Sequence, residues 1–494
     1  MYLLGYDIGT SSIKASLIKA ESGKVISSAM SPAKEMEIIS ERPGWAEQEP
    51  QLWWDHVKAA TAQLLARADI DRSQIKAIGI TYQMHGLVCV DKDLRVLRRS
   101  IIWCDSRAVE IGEKAAKDIG EQRCLENLLN YPGNFTAGKI KWVMENEPAV
   151  YQKIYKIMLP GDYIAMKMTG EVTTTQSGLS EGILWDFKNE RRADFVLDYY
   201  GISPSLLPDI VPVFGVQGKL TKFAAQELGL KENAIVSYRS GDQPNNALSL
   251  NVLEPGEIAA TAGTSGVVYG IGDKPAYDPQ SRVNTFVHVN SQTGKPRHGV
   301  LLCVNGTGIL NSWLKHNAAG GMDYDMINKL AAKAPVGCDG LVTLPYGNGA
   351  ERTLGNRNIG ASINGINFNT HTISHCLRSA QEGIVFALNY GLDIMRTMGV
   401  SISKVRAGDA NMFLSPIFSS AFASVSNAVV ELYNTDGAQG AARGAGIGAG
   451  IYKNQKEAFT GLEKTRTIEP DNAQAAVYER AYNKWLTVLN QKLN

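Results

Sequence analysis

Apolar and polar residues at the start of the chain follow the pattern of a β-hairpin. Residues 3–6 form a continuous apolar run, and Ile13, Ala15 and Leu17 alternate with polar residues. Continuous runs are typical of buried strands, and alternation is typical of half-buried ones. The small residues at positions 9–12 predict a tight turn between the two strands. Asp7 therefore stands at the end of a strand, next to a turn without bulky side chains.

A second segment repeats this pattern half a chain length later. Residues 257–270 read as strand, turn and strand, and the Gly-Thr-Ser of positions 263–265 repeats that of positions 9–11. A repeat of this kind indicates two halves built on one plan. We predict two domains, residues 1–236 and 237–494, with a cleft between them and one hairpin on each side. Thr261 stands where the first copy has Asp7, so the halves differ chemically.

The rest of the chain alternates predicted strands and helices. Residues 25–28 predict a third strand, the spacing of Trp53, Val57, Ala60 and Leu64 predicts a helix, and residues 75–81 predict another strand. Residues 139–146 predict an amphipathic helix, and residues 477–489 predict a last helix that docks on the body of the protein. This alternation favours an α/β fold.

Composition restricts the classes of partner. The 494 residues carry 50 Lys and Arg against 49 Asp and Glu, a formal charge of +1. Such a balance gives no basic field for nucleic acid or an acidic membrane, so we expect small-molecule partners. The six cysteines show no metal-ligand spacing, and no apolar segment predicts a signal peptide or a membrane span. We therefore expect a soluble, cytoplasmic protein with reduced thiols, for which a homodimer is one allowed arrangement.

The hairpin turns are candidate phosphate sites. Their backbone N–H groups and the hydroxyls of Thr10 and Ser11 can face a phosphate, and the Asp7 carboxylate can hold Mg²⁺. A single turn of this type is more often an ordinary surface hairpin, in which Asp and Gly serve only the turn. The second copy, with Gly263 and Thr264, favours the nucleotide-binding alternative.

Polar residues at two strand ends are candidate contacts for a substrate. Gln83, Met84 and His85 follow the strand at 75–81, and in open α/β sheets ligands bind at the carboxyl ends of strands. Trp103 and Asp105 follow a second short strand. His85 could instead be a core histidine, and Asp105 could form a structural ion pair with Arg107.

Asp242 is a further candidate because it stands between a strand end and a helix start, near the predicted domain boundary. Its alternative role is that of a helix N-terminal aspartate stabilised by the helix dipole. Near the C-terminus, residues 406–412 and 436–446 are rich in small residues, which let an adenine ring or another helix approach the backbone.

Taken together, these motifs resemble those of the FGGY carbohydrate kinases, and the resemblance runs from end to end. It rests on Asp-Ile-Gly-Thr at 7–10 with Lys14, Gln-Met-His-Gly at 83–86, Trp-Cys-Asp at 103–105, Lys-Ile-Lys-Trp at 139–142, Gly-Asp-Gln at 241–243, Gly-Thr-Ser-Gly at 263–266 and Glu-Arg-Thr at 351–353. It implies two actin-like (ribonuclease-H-like) domains around a central cleft. It also implies transfer of the ATP γ-phosphate to a sugar hydroxyl, with Mg²⁺.

The resemblance assigns roles residue by residue. Asp242 is the implied general base, and Asp7 is the second catalytic residue and the implied metal ligand. The implied sugar contacts are Gln83, Met84, His85, Trp103, Asp105 and Asp242. The implied ATP contacts are Thr10, Ser11, Lys14, Gly263, Thr264, Gly408 and Asn411.

The sugar itself is implied by fewer positions. Gln-Met-His-Gly resembles the members of the family that phosphorylate D-xylulose, whereas Gly-Asp-Gln at 241–243 is closer to those that phosphorylate glycerol. Glycerol, ribulose and gluconate therefore stay open as alternative acceptors. An actin- or chaperone-like ATPase has no reason to keep Gln-Met-His-Gly. A non-catalytic sugar sensor would be expected to lose Asp7 or Asp242.

Overall fold

The computed structural model describes residues 1–494. The strands in chain order are β1 (Tyr2–Ile8), β2 (Ile13–Lys19), β3 (Val25–Ser31), β4 (Glu47–Gln48), β5 (Ile75–Tyr82), β6 (Val88–Val90), β7 (Ser100–Ile101), β8 (Lys156–Met158), β9 (Thr173–Thr175), β10 (Trp185–Asp186), β11 (Arg191–Arg192), β12 (Asp209–Val211), β13 (Phe214–Lys219), β14 (Ile235–Gly241), β15 (Glu257–Ala262), β16 (Gly266–Gly272), β17 (Asn284–Val287), β18 (His298–Val304), β19 (Val342–Leu344), β20 (Ser362–Asn364), β21 (Lys404–Gly408), β22 (Val429–Tyr433) and β23 (Lys464–Ile468). The helices are α1 (Pro50–Arg67), α2 (Val109–Ile119), α3 (Glu121–Leu128), α4 (Thr136–Asn146), α5 (Pro148–Tyr151), α6 (Pro160–Thr169), α7 (Gln176–Glu181), α8 (Asp194–Tyr200), α9 (Lys222–Leu228), α10 (Asp242–Ser249), α11 (Gly308–Asn317), α12 (Tyr324–Ala331), α13 (Ile373–Thr397), α14 (Pro416–Ser426), α15 (Gly437–Gly448), α16 (Gln455–Ala458) and α17 (Ala475–Leu493).

The chain divides into two compact α/β units. The first unit comprises Met1–Asn251, Phe286–His298 and Thr435–Leu462, and the second comprises Val252–Thr285, Gly299–Asn434 and Glu463–Asn494. This division differs from the predicted one at 236/237, because β14 pairs with β5 and β13 and so joins Asp242 to the first unit. The segment Thr435–Leu462 also returns to the first unit, which no local sequence pattern indicates.

The two main sheets share one topology. The first has the order β13-β14-β5-β1-β2-β3, and the second has the order β17-β18-β16-β15-β21-β22-β23. In the first sheet, β1 pairs antiparallel with β2 and parallel with β5, and β5 pairs parallel with β14. In the second sheet, β15 pairs antiparallel with β16 and parallel with β21, and β21 pairs parallel with β22. An antiparallel strand, β13 or β23, then closes the edge. The predicted repeat is confirmed as a repeat of topology.

Helix α1 covers one face of the first sheet. Trp53, Val57 and Leu64 lie on its buried side and are inaccessible to solvent, as their spacing predicts. Burial of such large apolar side chains is the main favourable term in folding. The tryptophans at 53 and 54 therefore serve the core.

Helix α15 packs against the same sheet through small residues. A Cβ atom on Gly5 of β1 would lie 1.9 Å from the Ala438 carbonyl oxygen, and one on Gly79 of β5 would lie 1.9 Å from the Ala441 carbonyl oxygen. Any other residue would force the helix away from the sheet. The small residues at 436–446 thus serve the approach of a helix to a sheet, one of the two alternatives left open by the sequence.

The second unit is built around the long helix α13, most of whose residues are buried. Helix α17 packs on this core through Trp485, which is fully buried and donates its indole N–H to the Thr343 carbonyl oxygen at 3.0 Å. Docking of the last helix on the body is therefore confirmed. No helix in the protein combines the length and the apolar character needed to cross a bilayer.

Candidate active site

Two carboxylates meet at the ends of neighbouring strands in the first unit. Asp7 pairs in register with Lys14 on β2 and with Thr81 on β5, and Thr81 pairs in turn with Ser240 on β14. Asp242 follows two residues later, as the first residue of α10. Strand register therefore fixes Asp7 and Asp242 at the same edge of one sheet.

The surroundings of these carboxyl groups disfavour their charged forms. Burial, together with the negative charge of Asp7, raises the pKa of Asp242 to about 7. Burial raises the pKa of Asp7 to about 6, with Lys14 lowering it and Asp436 raising it. Perturbed carboxyl groups of this kind cluster at functional sites, where a base needs a pKa close to the working pH.

The protein offers oxygen ligands for Mg²⁺ here, but it does not supply a complete set of ligands. No group of three or more His, Cys, Asp or Glu residues is arranged to hold a metal ion. Mg²⁺ in phosphoryl-transfer sites usually takes one or two carboxylates and fills its shell with water and phosphate oxygens. The Asp7 carboxylate fits this requirement, since its Oδ2 atom lies against Gly437, where a Cβ atom would approach it to 2.7 Å.

The turn of the first hairpin is tied to the predicted sugar contacts. The Thr10 hydroxyl donates to the Gln83 Oε1 atom at 3.2 Å and accepts the indole N–H of Trp103 at 2.9 Å. Trp103 is otherwise exposed, and Ser11 and Lys14 are exposed as well. One polar network thus joins the predicted phosphate turn to two predicted sugar contacts.

Gln48 lies at the centre of this network and was missed by sequence reasoning. Its fully buried amide donates to the Thr10 carbonyl oxygen at 2.8 Å and accepts from the Gln83 amide and the Trp53 indole, both at 3.1 Å. The surrounding segment is rich in turn-forming residues and reads as a loop. Only the tertiary structure shows that Gln48 supports the turn.

His85 and Met84 form a wall beside Asp242. His85 has a backbone φ of 62°, and its Nδ1 atom donates to the Glu181 carbonyl oxygen at 2.9 Å. Met84 is buried, and a Cβ atom on Gly241 would lie 2.6 Å from its Cγ atom. A non-glycine residue with positive φ is uncommon and often marks a functional site.

The buried ammonium of Lys139 holds this wall in place. It donates to the carbonyl oxygens of His85 and Ile102, both at 2.9 Å, and so bridges the two segments that carry the predicted sugar contacts. Burial lowers the pKa of Lys139 to about 7, while Asp105 raises it. The predicted amphipathic helix at 139–146, confirmed as α4, therefore has a role in positioning the site.

Asp105 has the structural role that was the alternative to sugar binding. Its carboxylate is fully buried, accepts from the Arg107 guanidinium at 2.7 Å and accepts the Ala46 backbone N–H at 2.6 Å. Arg107 lies over the rings of Trp45 and Trp142, at 3.9 and 4.7 Å. Because these partners occupy the carboxylate, the structure does not support the predicted sugar contact at Asp105.

The second unit contains a cavity beside its own hairpin. The cavity has a volume of about 530 Å³ and is lined by Gly263 and Thr264 from the turn and by Asn411, at the end of the segment after β21. Gly408, at the end of β21, does not line it. Cavities of this size commonly hold small ligands. The predicted ATP contacts Gly263, Thr264 and Asn411 are thus brought together.

Helices α11 and α12 supply lining residues that sequence reasoning missed. Asn311, Ser312, Tyr324 and Asn328 line the same cavity. Their spacing is that of ordinary amphipathic helices, so the sequence gives no signal for them. The start of α11 is joined to the turn, because the Gly308 N–H donates to the Gly263 carbonyl oxygen at 2.9 Å.

Comparisons with known proteins agree with this arrangement. The N-terminal domain of the FGGY family of carbohydrate kinases matches residues 2–249, and its C-terminal domain matches residues 258–451. The chain belongs to the FGGY family of carbohydrate kinases. This FGGY kinase is 29% identical to the xylulose kinase of Bacillus subtilis (strain 168) over 92% of this chain and 90% of that protein. It is also 29% identical to the xylulose kinase of Haemophilus influenzae over 99% and 100%.

Solved structures extend the comparison to the fold. The xylulose kinase of Rhodospirillum rubrum superposes on this FGGY kinase with a TM-score of 0.88 and 26% identity, covering 99% of both chains. The gluconate kinase of Lactobacillus acidophilus reaches the same TM-score at 22% identity, covering 100% of this chain and 98% of its own. Members with different substrates therefore share the fold, and the fold alone does not identify the sugar.

Proposed function

We propose that this FGGY kinase transfers the γ-phosphate of ATP to D-xylulose and so forms D-xylulose 5-phosphate. The observation that carries the proposal is the position of Asp7 and Asp242 at one sheet edge, beside the wall of Met84 and His85. Relatives that match over nearly the full length include two xylulose kinases, which supports a ketose as acceptor. A cytoplasmic location is part of this proposal.

Asp242 is the general base of the proposed reaction. A hydroxyl group attacks the γ-phosphate well only if a positioned group accepts its proton, and a carboxylate near its pKa does this efficiently. Burial raises the pKa of Asp242 to about 7, which suits a base at neutral pH. In the proposed reaction the Asp242 carboxylate takes the proton of the attacking sugar hydroxyl.

Asp7 holds the Mg²⁺ that accompanies ATP. The bound ion supplies positive charge that stabilises the phosphoryl oxygens during transfer. In this proposal the backbone N–H groups of residues 10–12 and the Ser11 hydroxyl face the phosphates, while the Thr10 hydroxyl is held by Gln83 and its carbonyl oxygen by Gln48. Lys14 lies opposite Asp7 on β2 and adds a positive charge to the same edge.

The nucleotide occupies the cavity of the second unit in this proposal. Gly263 and Thr264 offer the second turn to the phosphates, and Asn411 lies within van der Waals reach of that turn, since a Cβ atom on Gly263 would be 3.6 Å from its Nδ2 atom. Gly408 does not line this cavity, so in this proposal it affects the nucleotide only through strand β21, which ends at Gly408. These assignments rest on the residues that line the cavity.

The acceptor pocket contains one group that could change the choice of sugar. The Oε1 atom of Gln243, next to Asp242, is buried and has no hydrogen-bond partner. A buried acceptor without a partner favours a ligand that donates a hydrogen bond to it. Gln243 is the last residue of the Gly-Asp-Gln motif that is closer to glycerol kinases, so glycerol is the acceptor to test against D-xylulose.

A coupled assay of ADP release over a panel of ketoses, polyols and gluconate tests the proposal. We expect D-xylulose to give the highest kcat/KM. If glycerol, L-ribulose or gluconate gave a kcat/KM at least tenfold higher, that compound would replace D-xylulose as the proposed acceptor, and the kinase activity itself would stand. Absence of ADP release with every acceptor, in protein that binds ATP, would favour a sugar sensor.

A further inference from the structure

The buried carboxylate of Glu351 contacts the loop that leads into the nucleotide cavity of the second unit. Its Oε1 atom accepts the Asn305 backbone N–H at 2.9 Å, and the Asn305 amide donates to the neighbouring Ala350 carbonyl oxygen at 3.0 Å. Glu351 is 1% exposed. Since buried charges need partners, the Asn305 N–H compensates part of the burial of the Glu351 charge.

The loop that Glu351 holds continues directly into the cavity wall. After residues 305–307 the chain enters α11, where Gly308 donates to the Gly263 carbonyl oxygen at 2.9 Å and Ile309 donates to the Thr264 carbonyl oxygen at 3.2 Å. Gly308 and Ile309 both line the cavity. The bonded path from Glu351 to the turn at 263–264 therefore consists of one short loop and two backbone hydrogen bonds.

This loop packs closely against its neighbours. A Cβ atom on Gly306 would lie 1.6 Å from the Pro345 carbonyl oxygen, and one on Gly308 would lie 2.4 Å from the Gly263 carbonyl oxygen. Burial raises the pKa of Glu351 to about 7, and its bonds from the backbone of Asn305 and Gly306 lower it. The carboxylate is thus supported by peptide N–H groups alone, which makes it sensitive to any change in the loop.

We propose that Glu351 is a positioning residue for the nucleotide, which fixes residues 305–307 so that the start of α11 closes against the Gly263-Thr264 turn. This inference rests on the proposed function, because it takes the cavity as the nucleotide site. Glu351 does not touch the nucleotide and acts through the loop. Its loss is expected to weaken nucleotide binding while leaving the sugar pocket of the first unit unchanged.

Glu382 offers a matched control within the same unit. It is 2% exposed and accepts a backbone N–H, that of Gly337 at 3.1 Å, and it also pairs with the Arg378 guanidinium at 2.8 Å, but it does not line the nucleotide cavity. Glu351→Gln and Glu382→Gln therefore each remove one buried negative charge that accepts a backbone N–H from a turn, and Glu382→Gln also breaks an ion pair. Only the first of these turns leads into the cavity.

The experiment measures dissociation constants of Mg-ADP and of D-xylulose by calorimetry for the wild type and both variants. For Glu351→Gln we expect Mg-ADP binding to weaken about tenfold, the effect of losing one charge-assisted hydrogen bond, with D-xylulose binding changed less than twofold. Glu382→Gln should change Mg-ADP binding less than twofold, although its melting temperature falls.

Two results would overturn the inference: Mg-ADP binding by Glu351→Gln within twofold of the wild type, or equal weakening in both variants. Failure of the wild type to bind Mg-ADP would overturn the proposed function itself. If Glu351→Gln does not fold, amide hydrogen exchange of the wild type tests the inference instead. Protection of the Asn305 and Gly306 amides supports the role of Glu351, and exchange at the rate of a free loop overturns it.

Discussion

Replacement of Asp242 by asparagine should abolish activity and at the same time stabilise the protein. The amide keeps the shape of the side chain but cannot accept the proton of the sugar hydroxyl. Positioned bases contribute about 10²–10⁴-fold to rates, so kcat should fall by at least about 10²-fold. Binding of D-xylulose should change much less, because the substitution retains most contacts.

The gain in stability follows from the raised pKa of Asp242. Its ordinary value is 3.8 and its folded value is about 7, so the unfolded chain ionises first and stability falls as pH rises from about 4 to about 7. Three pKa units correspond to about 4 kcal/mol at most. Because the side chain is partly exposed, solvent screening lowers this to about 2 kcal/mol. Asp242→Asn avoids the whole loss.

Melting curves and steady-state kinetics at several pH values test this prediction. The variant should melt about 3 °C above the wild type at pH 8, and the difference should shrink as pH is lowered toward 4. Asp194→Asn is the control, since Asp194 is also the first residue of a helix in the first unit, but its side chain is 44% exposed and paired with Arg192. More than a tenth of wild-type kcat, or a lower melting temperature at pH 8, would refute the reasoning.

Two further predictions concern the same pair of carboxylates. Asp7→Ala should depress kcat strongly at saturating sugar, because the interaction with Mg²⁺ matters most where charge moves in the transition state; near-normal kcat at ordinary Mg²⁺ would make the first hairpin a simple turn. In the wild type, kcat should fall as pH is lowered through about 7, since Asp242 must be deprotonated to act as base; a flat pH–kcat profile between pH 8 and 5.5 would contradict that role.

The hairpins and the position of Asp242 could be predicted because their signals are local. Short segments of sequence are enough to predict an alternating strand, a turn of small residues, and a strand that ends before a helix. Asp7 and the 263–265 turn stand where those segments predict, and the matching order and direction of the strands around the two hairpins confirm the repeat.

Other features depend on residues that are distant in sequence. The Asp105 carboxylate is bonded to the Arg107 guanidinium and the Ala46 N–H. Gln48 has a role only because the fold brings it to Thr10, Gln83 and Trp53. Which polar side chains face a ligand and which face each other is decided by packing, and packing overrides local preference. The same reason explains the boundary at 251/252, because strand pairing holds β14 in the first unit.

The contact of α15 with the first sheet has a consequence for the order of events during synthesis. When residues 1–251 have left the ribosome, the faces of β1 and β5 at Gly5 and Gly79 still lack the helix that covers them. That helix, Gly437–Gly448, is translated only after nearly all of the second unit. The first unit therefore cannot complete its core as a nascent domain, and its open sheet has to be protected until the chain is almost finished.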